Sequence, residues 1–235
     1  MPAKFVYSII FAFLVLGIGL IVLINRKNSV QQQKALWLKL YVYILLVLLI
    51  STSLLYNIGV LFIAFVILLL GFYEVLIISK SVKPIIALLG ITVYGLLCFA
   101  FLQFILNIPN WQKLYVYILI LIFDGFSQLS GQLLGKHRPF PKISPNKTSE
   151  GILGGFFALF AMAVLLNLWL QLSYPSLFSF AFSVGIASLC GDLLASFYKR
   201  ICKVKDYSQF IPGHGGVLDR FDSFIFAGSV YWLTH

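Results

Sequence analysis

Asp192, Ser196, Lys199 and Arg200 are spaced i, i+4, i+7, i+8, which on a helix aligns a carboxylate, a hydroxyl and two cations along one stripe. Such a stripe can hold a divalent cation and a phosphate together. Magnesium takes oxygen ligands, typically one or two carboxylates plus phosphates, and Lys and Arg neutralise the remaining phosphate charge. The plainer reading of Lys199 and Arg200 is a helix end whose cations snorkel to an interface. The acids point the same way as the stripe. Only seven are present, and six of them, Asp124, Glu150, Asp192, Asp206, Asp219 and Asp222, follow residue 123; the seventh is Glu74. Any chemistry therefore belongs to the C-terminal half.

Two further constellations flank the stripe. Pro212-Gly213-His214-Gly215-Gly216 supplies flexible backbone just before Asp219-Arg220-Phe221-Asp222, and Asp219 and Asp222 share a helix face at i, i+3. A glycine-rich turn that opens a helix offers free amides and a positive dipole end to anions, and two carboxylates there repel unless a cation sits between them. The other constellation runs from Gly135-Lys136-His137-Arg138 through Lys142-Ile143-Ser144-Pro145-Asn146-Lys147-Thr148-Ser149-Glu150-Gly151. Thr148 or Ser149 can cap the next helix, with Glu150 in its first turn. Capping leaves Lys136, Arg138, Lys142 and Lys147, clustered with Ser144, unexplained; that composition suits a triphosphate or an anionic lipid headgroup. His137 and His214 have no metal-ligand partner at helical spacing, so neither ranks as a ligand, and His214 can still contact phosphate. Glu74 follows Phe72-Tyr73 and reads as interfacial rather than catalytic.

The elements that must position these residues are membrane helices. The chain is 61% hydrophobic and 10% charged, with a mean hydropathy of +1.00, far outside the range of soluble domains. Apolar runs predict eight spans, at about 5–24, 35–56, 58–79, 85–106, 114–134, 151–172, 176–198 and 221–234. All should be helices, because an open strand in hydrocarbon leaves backbone groups unpaired. The first reads as a retained helix rather than a signal peptide. The fold class is thus an all-α, polytopic transmembrane bundle without internal repeat. Residues 1–110 form N-terminal helices of unassigned role and 111–235 a catalytic region, together one integrated membrane domain. Asp124 and Asp192 lie within spans, where a charge costs roughly 2.5–3.5 kcal/mol, so each should face the bundle interior with a partner. Fifteen of the 17 basic residues fall on one side, all but Lys4 and Lys113. The positive-inside rule makes that side cytoplasmic and puts both termini on the outer side. Because the basic residues lie between apolar spans, they set orientation or meet phosphates, and nucleic acid is not an expected partner. Cys98, Cys190 and Cys202 have neither metal-ligand spacing nor a disulfide pattern.

Ser196-Phe197-Tyr198-Lys199-Arg200, Lys205-Asp206 and His214-Gly215-Gly216-Val217-Leu218-Asp219-Arg220-Phe221-Asp222 resemble the signature of the phosphatidate cytidylyltransferases, the CDP-diacylglycerol synthases. The run from Gly135 to Gly151 is similar to the upstream motif of the same family. The resemblance covers roughly residues 124 to 222, with more than a dozen fixed positions in register. Tyr198 stands where that family usually has an aliphatic residue, Ser149 where it often has Trp, and Phe126-Ser127-Gln128 replaces a different small-residue run. No charged or phosphate-binding group is lost. The resemblance implies transfer of CMP from CTP to phosphatidate, giving CDP-diacylglycerol and pyrophosphate, with Mg2+ and a second cation, K+. It implies Asp192 and Asp219 as metal ligands and Asp222 as an aid to the cation site. Lys199, Arg200, Ser196, Lys205 and Arg220 would contact phosphates, joined in substrate binding by Lys136, Lys142, Ser144, Lys147, Thr148, His214, Gly215 and Gly216. The expected partners are CTP, phosphatidate, the bilayer and a second copy of the chain as a homodimer, in a bacterial plasma membrane with the site at the cytoplasmic face.

Three other readings compete. A CTP-dependent enzyme of the same superfamily, CDP-archaeol synthase or polyprenol kinase-like, would differ in its lipid acceptor. An anion transporter should show paired broken helices in two related halves, and this chain has no such symmetry. A catalytically silent scaffold should have lost a metal carboxylate, and all the acids are present.

Overall fold

A chain solvated by lipid satisfies its backbone within each segment, and the structure is accordingly helical. The computed structural model describes residues 3–25, 30–171, 173–211 and 215–234. These hold eight helices: α1 (Ala3–Asn25), α2 (Val30–Tyr56), α3 (Val60–Ser79), α4 (Pro84–Asn107), α5 (Asn110–Leu134), α6 (Ser149–Leu170), α7 (Tyr174–Ile201) and α8 (Leu218–Thr234). Among the described residues there is no strand, only an isolated bridge between Ile211 and Gly215. Among the described residues six helices, α2 to α7, are long and apolar enough to cross a membrane. The protein is an integral membrane protein.

α5 is the axis of the bundle. Every residue from Lys113 to Ile120 is buried, as are Ile122 and Phe123, so the helix is enclosed on all sides. α6 lies along α5 with Gly154 and Gly155 against Ser130 and Ser127, the small-residue contact that lets membrane helices approach closely. α8 packs against α4 and α7, and Phe224 on α8 stacks edge-on against Phe101 and Phe104 of α4. The outward faces of α3 and α4 carry exposed Phe62, Phe65, Leu88, Leu89 and Leu96, as a lipid-facing surface requires.

The boundaries differ from the expected spans where side chains intervene. α5 starts at Asn110 rather than 114, and Lys113, expected in an outer connection, is buried. Its ammonium donates to the Ile105 carbonyl at 2.5 Å and to Asn110 Oδ1 at 2.8 Å, closing the end of α4. α7 continues to Ile201, which places Lys199 and Arg200 in its last turn, where the helix dipole favours cations. α8 starts at Leu218 rather than 221, because its first amides are taken by carboxylates described below.

Candidate active site

The C-terminal end of α7, the connection before α8 and the first turn of α8 meet around two lysine–aspartate pairs. Lys199 Nζ lies 2.6 Å from Asp219 Oδ1, with both side chains nearly buried. Lys199 also sits over the Tyr207 ring, 5.2 Å from its centroid. Burial, with Asp222 and Asp219 nearby, pushes the Tyr207 phenol well above its ordinary range, so it stays neutral. The second pair joins the α5–α6 connection to α7: Lys147 Nζ lies 2.7 Å from Asp192 Oδ2. Ser196, one turn along α7, donates to Asp192 Oδ1 at 3.2 Å, as its i+4 spacing implies.

A third carboxylate joins Asp192 and Asp222. Asp124 of α5 accepts a hydrogen bond from Ser188 at 3.2 Å and lies near Ser223, Lys147 and Asp192. Asp222 feels Asp192 and Asp124 as like charges and Lys199 as the opposite one, and its Oδ1 accepts the Ser223 amide at 2.7 Å. Asp124 was expected to face inward with a partner but was not counted in the site; the structure brings it there. Lys147 pairs with Asp192 and Lys199 with Asp219, which leaves Asp124 and Asp222 without an ion pair among the described residues. Three half-buried carboxylates that repel one another could hold a cation between them. No three His, Cys, Asp or Glu side chains among the described residues form a ready-made metal cage. Magnesium needs none, since one or two carboxylates plus substrate phosphates suffice.

Asp219 has other partners. Oδ2 accepts the amides of Tyr207 at 2.8 Å and Gly216 at 2.9 Å, while Oδ1 faces Lys199. Of the glycine-rich turn, the described Gly216 amide is thus occupied, and so are the two amides that follow it. The Val217 amide donates to Glu74 Oε1 and the Leu218 amide to Glu74 Oε2, each at 2.8 Å. The Gly216 N–H is therefore taken by the Asp219 carboxylate rather than left free for a phosphate. Gly215, buried at φ 84°, accepts the Ile211 amide at 2.8 Å. His214 lies outside the described residues. Glu74 corrects the interfacial reading outright, since its side chain is fully buried among these donors. Its signal in the sequence was its isolation, as the one acid among the first 123 residues, inside an apolar span.

In the α5–α6 connection, Thr148 rather than Ser149 is the N-cap of α6. Its backbone is extended and its hydroxyl accepts the Gly151 amide at 3.1 Å, so the buried Thr148 is structural rather than available to substrate. Glu150 accepts the backbone amides of Lys136 and His137, and His137 Nδ1 at 2.5 Å, folding the start of the connection back on α6. Arg200 spends two donors on carbonyls, Nε on Ile143 at 3.2 Å and Nη1 on Val204 at 3.0 Å, and so latches the connection to α7. Ser144 is half-buried in the same turn, its carbonyl accepting the Lys147 amide at 3.1 Å. Lys136, Lys142, Lys205 and Arg220 are exposed.

A family model described as "Cytidylyltransferase family" matches residues 2–235. The chain belongs to the cytidylyltransferase family. Its similar relatives include proteins named phosphatidate cytidylyltransferase. The one from Staphylococcus haemolyticus is 41% identical over 121 residues, 48% of this chain and 44% of the relative. One from Staphylococcus aureus is 40% identical over the same length, and that of Bacillus subtilis is 36% identical over 139 residues, 57% of this chain and 52% of the relative. The chain thus spans about half the length of the curated relatives it matches.

Proposed function

We propose that this protein is a membrane-embedded phosphatidate cytidylyltransferase, making CDP-diacylglycerol and pyrophosphate from CTP and phosphatidate for phospholipid synthesis. The observation that carries the reading is the convergence of Asp124, Asp192 and Asp222 with Lys147 and Lys199, beside the exposed cations of two connections. The names of the relatives support the choice of substrates.

A phosphate oxygen of phosphatidate attacks the α-phosphorus of CTP. The bond from that phosphorus to the oxygen bridging to the β-phosphate breaks, and pyrophosphate departs with that oxygen. The lipid phosphate is already an anion at neutral pH, so the chain needs no strong general base. Its work is positioning and charge neutralisation. Lys147 and Lys199 exchange their aspartates for phosphate oxygens as substrate enters, while Lys136, Lys142, Lys205 and Arg220 draw the triphosphate and lipid headgroup in. Ser196 orients Asp192, Arg200 holds the α5–α6 connection, and Asp219 orients Lys199. Asp192 would hold Mg2+; Asp219, the second ligand that the resemblance implies, is engaged by Lys199 and the Tyr207 and Gly216 amides, so Asp222 would take its place, with Asp124 behind; K+ as a second cation would draw on the same carboxylates. When bound, Mg2+ neutralises the triphosphate and the departing pyrophosphate.

The same proposal includes eight spans with both termini outside and the site at the cytoplasmic face of a bacterial plasma membrane, supported by the one-sided basic connections. It also includes a homodimer, testable by crosslinking in membranes. The direct test offers purified protein phosphatidate, a polyprenol or an archaeal ether lipid, each with labelled CTP and Mg2+, and follows label into extractable lipid. Label on phosphatidate alone, lost in Asp192→Asn, is the expected result; label on another acceptor alone would reassign the substrate.

A further inference from the structure

Glu74 lies on α3, in the half of the chain that the reading above leaves without a role. It forms no salt bridge among the described residues. A buried carboxylate without a cation survives only where hydrogen bonds take up its charge. Glu74 collects three: Ser208 Oγ donates to Oε1 at 2.5 Å, the Val217 amide to Oε1 and the Leu218 amide to Oε2. Two of these donors stand at the start of α8, where amides lack partners inside the helix and the dipole is positive. Two acceptor-only oxygens suit three donors, whereas an amide would turn its own N–H groups against them.

Gly216 makes the fit mutual. A Cβ there would lie 2.6 Å from Glu74 Oε1 and 2.9 Å from Oε2, so only glycine lets the carboxylate reach the helix start. The last residue of α3 and the turn that follows it also hold the end of α7. Ser79 Oγ and the Tyr198 hydroxyl share a hydrogen bond of 2.7 Å, and Ser81 Oγ donates to the Cys202 carbonyl at 3.0 Å, on either side of Lys199.

We infer that Glu74 is a positioning residue for the cytidylyl transfer: by clamping the first turn of α8 it sets where Asp219 meets Lys199 and where Asp222 faces Asp192. The catalytic consequence rests on the proposed function, whereas the clamp does not. The test compares full-length wild type with Glu74→Gln in detergent micelles. Amide hydrogen exchange at Val217 and Leu218 should speed up at least tenfold. Turnover per folded protein should fall at least tenfold, with KM for phosphatidate within twofold. Gly216→Ala should give the same pattern, and combining the two should be no worse than the more severe single change. Should Glu74→Gln fail to fold, Ser208→Ala removes one donor and should give a smaller shift of the same kind. Unchanged exchange at Val217 and Leu218, or faster exchange with wild-type turnover, would overturn the inference. Wild type that makes no CDP-diacylglycerol would sink the proposed function alone, with the exchange result still deciding the clamp.

Discussion

Replacing Lys199 by methionine keeps an unbranched apolar stem but removes the ammonium 2.6 Å from Asp219. Asp219 is left with the Tyr207 and Gly216 amides as donors in a site where its side chain is 2% exposed. Solvent screening, which makes surface pairs weak, does not apply at that burial. Breaking a buried pair from one side costs about 3–5 kcal/mol, because the stranded charge cannot reach water. At roughly 2–4 °C per kcal/mol for a chain of this size, the melting temperature should fall by about 6–20 °C. The companion variant Lys199→Met with Asp219→Asn removes the stranded charge, and its amide oxygen can still accept the Tyr207 and Gly216 N–H groups. It should recover at least half of the lost stability and none of the activity, since no cation remains there for phosphate. Thermal unfolding in detergent reads the stability, and label transfer from CTP by the same preparation reads the activity. A melting temperature for Lys199→Met within about 2 °C of wild type, or no recovery in the double variant, would show that the pair does not carry the packing assigned to it.

Thr148→Val should lose about 1 kcal/mol of stability with turnover within twofold, because the hydroxyl caps α6 and does not meet substrate; melting and turnover of one preparation check this. Gly90→Ala should destabilise by about 1–3 kcal/mol through overpacking, since a Cβ there would lie 2.3 Å from Tyr198. Tyr198→Leu in that background should restore the melting temperature. Asp192→Asn should cut turnover by about a hundredfold or more and raise the Mg2+ needed for half-maximal rate, read from a Mg2+ titration after chelation.

The stripe on α7 was legible because helical spacing determines neighbours within one helix. Ser196 does donate to Asp192; Ser196 is buried, while the Asp192 side chain is 32% exposed and paired with Lys147. Spacing is silent about partners on other helices. Lys199 shares Asp192's stripe yet pairs with Asp219, twenty residues on, while Asp192 takes its cation from Lys147 across the bundle. The choice of Thr148 over Ser149 as cap depends on one residue's extended backbone, which both sequence positions allowed. The glycine turn showed its flexibility in sequence but not its acceptors, because Glu74 lies more than a hundred residues upstream in a span that pattern alone marks only as apolar. Six membrane helices and the grouping of acids toward α7 and α8 were readable; the role of α3 was not, since it arises from packing.

The central claim is that this site moves the α-phosphorus of CTP onto the phosphate of phosphatidate. Purified protein given phosphatidate and Mg2+ with CTP labelled at the α-phosphate, and in parallel at the γ-phosphate, tests it in one measurement. The account predicts α-label in the extracted lipid and γ-label in pyrophosphate. Label from the γ-position in the lipid would mean a kinase, and would contradict it.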